Sequence, residues 1–228
     1  MSRQAPPLRE PFAVVVLDPG HGGQDSGAKV GNMLEKDFTL DVARRVDRLL
    51  QAQGLATVMT RVGDAYVSLA DRAALANRVP NCVFVSIHFN EDNKPVASGV
   101  ETYYAAHQIT RGLSVASWFP FLWPAISESP NLESQGLAGF VQEELAARTQ
   151  SLNRGTKAKQ FFVIANVRHP AVLIEGGFLT NKEDMAKLES DDYREQMATA
   201  ISAGIIRYRD FLKERQAPTA ATTPEAAE

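Results

Sequence analysis

A chain of 228 residues, 44% hydrophobic and 22% charged, has the composition of an ordinary globular protein, and its length suits one α/β domain better than two. The formal net charge of -3 gives no electrostatic reason to expect nucleic acid or an anionic membrane surface as a partner. No apolar run approaches the roughly 18 residues that a membrane-spanning helix needs, so we expect a protein that does not span a membrane.

Residues 1–11 contain arginines and prolines but no apolar stretch, and they predict an N-terminal extension in which no signal peptide is visible. The only cysteine, Cys82, excludes an internal disulfide framework. Its apolar neighbours favour a buried thiol on a strand.

The first half of the chain alternates between strand and helix patterns. Continuous apolar, β-branched runs predict strands that are covered on both faces, and apolar residues at helical spacing predict amphipathic helices. In chain order, the pattern predicts a strand at 13–17, a glycine-rich loop at 18–23, a helix at 37–53 that ends at Gly54, a strand at 55–60, a helix at 69–79 and a strand at 82–87. This alternation predicts a single α/β domain with a largely parallel, twisted sheet of about six strands and helices on both faces.

The second half is less regular. We predict a strand at 100–104, a helix at 136–149, strands at 160–164 and 171–174, and a last helix at 193–213. Residues 105–135 form an irregular insertion with an aromatic, proline-broken cluster at 118–124, and it is either a lid or groove wall or a loop whose aromatic rings pack onto the domain. The catalytic domain is thus predicted at 12–215, and the Ala/Thr/Pro/Glu-rich residues 216–228 are predicted to be a disordered tail.

Two histidines follow predicted buried strands. His21 comes after the first strand and His88 after the third. The carboxyl ends of parallel strands meet at one edge of a sheet, so the pair is a candidate for metal binding, although each histidine alone could be a core-edge residue. Glu35 precedes the first helix pattern, where it is either a third metal ligand or a favourable partner of the helix dipole.

Glu175 ends the apolar run 171–174 and is followed by two glycines. A carboxylate at the end of a buried strand is costly to leave unpaired. It is therefore either a general base that serves metal-activated water or a structural carboxylate paired with a lysine or arginine.

In six ordered blocks the chain resembles the zinc-dependent N-acetylmuramoyl-L-alanine amidases of the cell-wall amidase type 3 family. The blocks are Leu17-Asp-Pro-Gly-His-Gly-Gly23 with Gly27, Glu35-Lys36, Thr60-Arg61 with Asp64, Leu69, Arg72 and Ala76-Asn77, Ser86-Ile-His-Phe-Asn90, Gly99-Val-Glu-Thr-Tyr-Tyr104, and Leu173-Ile-Glu-Gly-Gly-Phe-Leu-Thr-Asn181. The resemblance implies that His21, Glu35 and His88 bind Zn²⁺ and that Glu175 is the catalytic carboxylate. It also implies cleavage of the amide between N-acetylmuramic acid and the L-alanine of the stem peptide.

Further residues within the resemblance have less specific roles. Asn90 and Arg154 are candidate substrate contacts, and Glu101 has a supporting role; a solvent-exposed loop arginine is the alternative for Arg154. We interpret Arg61, Asp64 and Arg72 as a structural ion-pair set. His107 and His169 match no metal-ligand position, and His169 is expected near the site because it precedes the strand that bears Glu175.

Two alternative functions remain open at this point. One is a zinc peptidase that acts within the peptidoglycan stem or cross-link, and the other is a catalytically inactive wall-binding regulator. Some relatives carry a helix near the position of the insertion that covers the zinc until a protein partner removes it, so a regulatory partner is a further hypothesis. We expect a monomer whose substrate, peptidoglycan, places it in the periplasm, the cell envelope or the exterior, with cytoplasmic retention as the alternative because no signal peptide is visible.

Overall fold

The structure, a computed structural model, describes residues 10–108 and 131–216. The strands of these residues are β1 (Val14–Pro19), β2 (Lys29–Val30), β3 (Met33–Leu34), β4 (Ala56–Met59), β5 (Cys82–Asn90), β6 (Val100–Tyr104), β7 (Asn153–Ala158) and β8 (Ala171–Phe178). The helices are α1 (Glu35–Ala52), α2 (Leu69–Arg78), α3 (Leu132–Thr149), α4 (Phe162–Ala165), α5 (Lys182–Glu189) and α6 (Asp191–Gln216). The aromatic cluster predicted at 118–124, and most of the predicted extension and tail, lie outside the described residues.

Six of these strands form one sheet in the order β4-β1-β5-β8-β6-β7. Neighbouring strands are parallel, except that β6 runs antiparallel to β8. The predicted largely parallel sheet of about six strands is therefore confirmed. The short strands β2 and β3 pair with each other in a separate hairpin that the sequence analysis did not predict.

Each face of the sheet has its own apolar core. On one face, alternate residues of the strands pack against α1, α3, α5 and α6. On the opposite face, the other set of alternate residues packs against α2 and α4. This alternation follows from the two-residue period of a strand, and it confirms that helices cover both faces.

Helix α1 shows how the sequence directs the local structure. Phe38, Val42, Val46 and Leu50 recur every four residues and are all buried on the side that faces the sheet. The helix begins at Glu35, two residues before the predicted start at residue 37. Gly54, with a φ of 74°, follows its end.

The prediction of a strand at 160–164 is wrong. The strand of this region is β7, which ends at Ala158, and the short helix α4 occupies the apolar run that was assigned to a strand. A run of this length is ambiguous because its periodicity does not separate a buried strand from a buried helix. In addition, α3 begins at Leu132 rather than Gly136, and α5 was not predicted.

The topology brings several chain segments to one edge of the sheet. The carboxyl ends of β1, β5 and β8 meet there. Because β6 runs antiparallel to β8, and β7 runs parallel to β6, the amino ends of β6 and β7 lie at the same edge. In open α/β sheets this edge is where ligands bind. Within the described residues, no helix is both long and apolar enough to cross a membrane.

Candidate active site

A row of polar side chains crosses three adjacent strands at this edge. His88 of β5 lies directly beside Glu175 of β8, and Glu175 lies directly opposite Glu101 of β6. Paired residues on neighbouring strands project from the same face of a sheet. All three side chains therefore share the face that α2 and α4 partly cover.

His21 approaches this row from the loop after β1. Its backbone has a φ of 58°, which is uncommon for a residue with a side chain and costs of order 1 kcal/mol. The loop is held from both sides, because the Gly20 amide donates to the Ile87 carbonyl at 3.0 Å and Arg72 donates to the His21 carbonyl at 2.7 Å. The fold thus imposes the unusual conformation that turns His21 toward His88.

Two glycines make room for this approach. A Cβ atom at Gly20 would lie 2.2 Å from Cε1 of His88, and one at Gly27 would lie 2.4 Å from Oε2 of Glu35. Both distances are far shorter than any allowed contact. The glycine-rich loop is therefore required so that the backbone can pass directly beside two of the three candidate ligands.

The structure brings His21, Glu35 and His88 together. Oε1 of Glu35 lies 3.0 Å from Nε2 of His21 and 3.0 Å from Nδ1 of His88, and one donor atom from each residue lies within 4.8 Å of the others. The other carboxylate oxygen, Oε2, accepts a hydrogen bond from the Ala28 amide at 2.9 Å. Two imidazoles and one carboxylate that converge in this way match the donor set of a transition-metal site with an open position.

Hydrogen bonding also determines which nitrogen of His21 faces the cluster. Nδ1 of His21 lies 2.9 Å from Oδ2 of Asp25, so Asp25 accepts the proton of that nitrogen and Nε2 is left to face Glu35. Carboxylates that orient histidines in this way are common around protein metal sites. The sequence analysis missed Asp25, although its position in the loop beside a candidate ligand histidine was a usable signal.

The pKa values of the cluster reflect its charge pairing. Burial opposes the charged forms of both His21 and Glu35, but their mutual hydrogen bond, with further bonds to Asp25 and His88, outweighs it. As a result, the pKa of His21 is raised and the pKa of Glu35 falls well below its usual range. Glu35 is therefore an ionised carboxylate at neutral pH, as a metal ligand must be.

Glu175 is in the opposite electrostatic situation. Its Oε2 is buried and has no hydrogen-bond partner in the part of the chain that the structure describes. Burial, followed by the negative charges of Glu35 and Glu101, raises its pKa well above the usual value. Among the described residues no lysine or arginine bonds to Oε2 of Glu175, and the charge of Lys159 is the smallest of the contributions to its pKa, which counts against the alternative of a carboxylate paired with a cation.

Glu101 anchors the remaining polar groups of the row. Its carboxylate accepts hydrogen bonds from Arg154 at 2.8 Å, Asn90 at 2.8 Å and the Tyr103 hydroxyl at 2.6 Å, and it also contacts the ammonium of Lys157. Burial opposes its charge, but Lys157, Tyr103 and Arg154 lower its pKa to about 2. Asn90 and Arg154, the predicted substrate contacts, thus share one partner, Glu101, which lies opposite Glu175. Arg154 is therefore part of an ion pair on β7 rather than a solvent-exposed loop arginine.

The prediction that Arg61, Asp64 and Arg72 form one ion-pair set is wrong. Arg72 pairs with Asp18 at 2.7 Å, while Asp64 pairs with Lys36 at 2.8 Å. Arg61 donates instead to backbone carbonyls of the loop after β1, including Pro19 at 3.0 Å and Gly20 at 2.8 Å. The two arginines both donate to the Pro19 carbonyl, and each also donates to a carbonyl of the glycine-rich loop, that of Gly20 for Arg61 and that of His21 for Arg72.

His169 does not lie near this site. It precedes the amino end of β8, and Pro170 accepts a hydrogen bond from the Phe84 amide at the opposite edge of the sheet. At about 3.3 Å per residue, the strand carries Glu175 about 20 Å away from it. His107 follows the end of β6 at that same distant edge, so neither histidine joins the cluster.

Comparison with known proteins agrees with this geometry. Residues 15–207 match the Amidase_3 family, described as N-acetylmuramoyl-L-alanine amidase. The N-acetylmuramoyl-L-alanine amidase LytC of Bacillus subtilis is 35% identical over 85% of this chain, which spans only 35% of that relative. The germination-specific N-acetylmuramoyl-L-alanine amidase of the same organism is 32% identical, and the match covers 86% of this chain and 79% of the relative.

A solved structure leads to the same family. The N-acetylmuramoyl-L-alanine amidase of Clostridium difficile 630 superimposes with a TM-score of 0.74 at 33% identity, covering 88% of this chain and 98% of that one. The chain belongs to the N-acetylmuramoyl-L-alanine amidase family, a family of hydrolases, and the resemblance noted in its sequence is confirmed.

Proposed function

We propose that this protein hydrolyses the amide between the lactyl group of N-acetylmuramic acid and the L-alanine of the stem peptide in peptidoglycan. The observation that carries the proposal is the register of β5 and β8, which sets Glu175 beside the cluster of His21, Glu35 and His88; Oε2 of Glu175 has no hydrogen-bond partner among the described residues. A candidate metal site and a candidate base are thus adjacent on neighbouring strands. Family membership supports the choice of bond.

The cluster of His21, Glu35 and His88 is proposed to hold a zinc ion. Its donor chemistry fits zinc, since imidazole nitrogen and carboxylate oxygen are usual zinc ligands and three protein ligands leave a position open. A zinc ion there supplies Lewis acidity toward the amide carbonyl and toward water. The other features of the mechanism belong to the chain's own residues.

Glu175 is proposed to be the general base. Its buried Oε2 has no partner among the described residues, so it is available to accept a proton from the attacking water. Its raised pKa means that the carboxyl holds this proton until the scissile bond breaks and the L-alanine nitrogen takes it up. Because its position on β8 is fixed by strand pairing on both sides, little reorganisation is needed between the two transfers.

Asn90 and Arg154 are proposed to position the stem peptide. Glu101 holds both side chains, and the ring of Phe178 lies 4.9 Å from the guanidinium carbon of Arg154. Arg154 has further donors beyond the one that Glu101 accepts, and its side chain is 30% exposed. Stem peptides carry free carboxylates, which a guanidinium held in this way can bind.

The experiment is a digest of purified peptidoglycan followed by mass spectrometry. Release of an intact stem peptide with a free L-alanine amine is the expected result. Shortened stems would instead support the zinc peptidase, and no product from a metal-loaded protein would support the inactive wall-binding regulator. Glu175→Gln should retain metal and lose at least about 100-fold in rate. The matched control is Glu91→Gln, which changes an exposed glutamate just after β5 and should leave the rate unchanged.

Peptidoglycan as substrate places the proposed site of action in the periplasm, the envelope or the exterior. The division into a catalytic domain at 12–215 with flanking segments, action as a monomer, and regulation by a protein partner are further parts of the same proposal. Sedimentation of the active protein tests the monomer, and the activity of the purified chain alone tests whether a partner is required.

A further inference from the structure

The loop after β4 is attached to the loop that carries His21. The Gly23 amide donates to Asp64 at 2.7 Å, and Lys36 links Asp64 to the Gly23 carbonyl through contacts of 2.8 and 2.9 Å. A Cβ atom at Gly23 would lie 2.7 Å from the amide nitrogen of Tyr66. The backbone of Tyr66 therefore packs against Gly23, two residues after His21 in the loop that carries this candidate ligand.

The side chain of Tyr66 nevertheless faces solvent. It is 55% exposed, and none of the aromatic contacts among the described residues includes its ring. Leu69, at the start of α2, is also exposed. A large ring that is fixed at its backbone but does not contribute to the core is suited to contact a ligand.

The strand order places Tyr66 on one side of the metal site and the cations on the other. Tyr66 follows β4 at one margin of the sheet, while Arg154 and Lys157 lie on β7 at the opposite margin. At about 4.8 Å per strand, β4 lies about 10 Å from β5, which carries His88, and β7 lies about 14 Å beyond β5. The surface that crosses the site thus has an aromatic end, where the charges of Lys36 and Asp64 are paired, and an opposite end, where Arg154 and Lys157 share the single carboxylate of Glu101.

The proposed substrate has the same asymmetry. One side of the scissile amide is a sugar chain, whose pyranose rings present apolar C–H faces that stack on aromatic rings. The other side is a peptide with free carboxylates. We propose that Tyr66 is a sugar-binding residue that stacks on the glycan next to the scissile amide, so that the stem peptide extends toward β7. This assignment rests on the proposed function, whose substrate supplies the sugar.

The test is binding of a peptide-free oligosaccharide of alternating N-acetylglucosamine and N-acetylmuramic acid, measured by calorimetry with the zinc-loaded full chain. This probe has no scissile amide, so binding is measured independently of catalysis. Tyr66→Ala should weaken binding about three- to tenfold, while Tyr66→Phe, which keeps the ring, should stay within about twofold of wild type. Leu132→Ala is the matched control, since Leu132 is an exposed apolar residue that begins α3 away from the site edge.

A kinetic readout accompanies the binding data. With glycan-attached stem peptide as substrate, Tyr66→Ala should raise KM by a similar factor and leave kcat almost unchanged, and its zinc content should equal that of wild type. Unchanged oligosaccharide binding in Tyr66→Ala, or no binding by the wild-type protein, overturns the inference. A different result separates the two proposals: if the wild-type protein binds the oligosaccharide, Tyr66→Ala weakens this binding, and the wild-type protein cleaves no amide, then the sugar site is supported and the proposed function is refuted.

Discussion

Asp25 offers a sharp test of how the candidate metal site is organised. Its Oδ2 lies 2.9 Å from Nδ1 of His21, and its Oδ1 accepts the Gly27 amide at 3.0 Å. In Asp25→Asn the side chain keeps its shape but has only one acceptor oxygen. If the new amide group faces His21, it donates to Nδ1 and moves the imidazole proton to Nε2, the atom that faces Glu35. If the new amide group faces Gly27 instead, its N–H points at the backbone N–H of Gly27, and neither donor has an acceptor.

Either orientation should weaken zinc binding about 10- to 100-fold, which corresponds to about 1.4 to 2.7 kcal/mol of binding free energy. This is the range found when residues that orient metal ligands are changed. The loss of the Asp25 charge alone would weaken zinc binding by less than this, because the Asp25 side chain is 45% exposed and its Coulombic attraction is screened by salt. The effect of proton placement is local and persists at high salt. The affinity loss should therefore be almost independent of ionic strength.

The assay is competition for zinc against a chromophoric chelator at neutral pH, at low and at high salt. Asp37→Asn is the matched control, since Asp37 is an exposed aspartate in the first turn of α1 and the substitution removes the same charge two residues from Glu35. Its zinc affinity should stay within about twofold of wild type. A dissociation constant for Asp25→Asn within twofold of wild type would refute the reasoning. An equal loss in both variants would show that net charge, not proton placement, is responsible.

Three further predictions concern the support around the site. Gly20→Ala should reduce zinc content at saturating metal, measured by mass spectrometry, because its Cβ would overlap the ring of a candidate ligand histidine. Arg72→Met should lower the free energy of unfolding, measured in urea, by about 3–5 kcal/mol, since it leaves the buried carboxylate of Asp18 without its cation. The control Arg148→Met, which breaks an exposed ion pair, should lower the free energy of unfolding by less than about 1 kcal/mol. Glu101, with its pKa lowered from 4.5 to about 2, stabilises the fold above pH 4.5, and this contribution is lost as the pH falls toward 2. In urea unfolding at a series of pH values, Glu101→Gln should therefore be about 1–3 kcal/mol less stable at neutral pH and show a weaker acid dependence between pH 4.5 and 2.

The parts of the fold that the sequence predicts well are those governed by local periodicity. Uninterrupted apolar runs identify β1, β5 and β8, because strands covered on both faces need apolar residues at every position. The alternation of these runs with amphipathic segments then predicts the parallel sheet and the shared edge that receives His21 and His88. His21 and His88, distant in the chain, could be assigned to one edge for this reason, whereas Glu35 joined them through the family resemblance.

The parts that the sequence did not predict depend on long-range contacts. Arg154 binds Glu101 across 53 positions of the chain, and neither residue has a periodic signal that indicates its partner. The three charged residues of the Thr60–Arg72 block suggested mutual pairing because they are close in sequence, whereas their partners are the loop carbonyls, Asp18 and Lys36. Nearby charges are a weak guide to pairing when a glycine-rich loop offers unsatisfied carbonyls to the same side chains.

The arrangement of the three carboxylates Glu35, Glu175 and Glu101 bears on the proposal that Glu175 is the base. Glu35 is paired with two imidazoles, and Glu101 is paired with Arg154 and Lys157, so both outer carboxylates remain ionised. Glu175 lies between them, is buried, and meets their negative charge without a cation bonded to it among the described residues. Burial and its neighbours therefore raise its pKa while theirs fall, which fits carboxylates of the same chemistry to the three proposed roles of ligand, base and anchor. The strand register fixes Glu175 between His88 and Glu101, so a one-residue slip of β8 would turn Glu175 to the opposite face and remove the proposed base while leaving the candidate metal ligands in place.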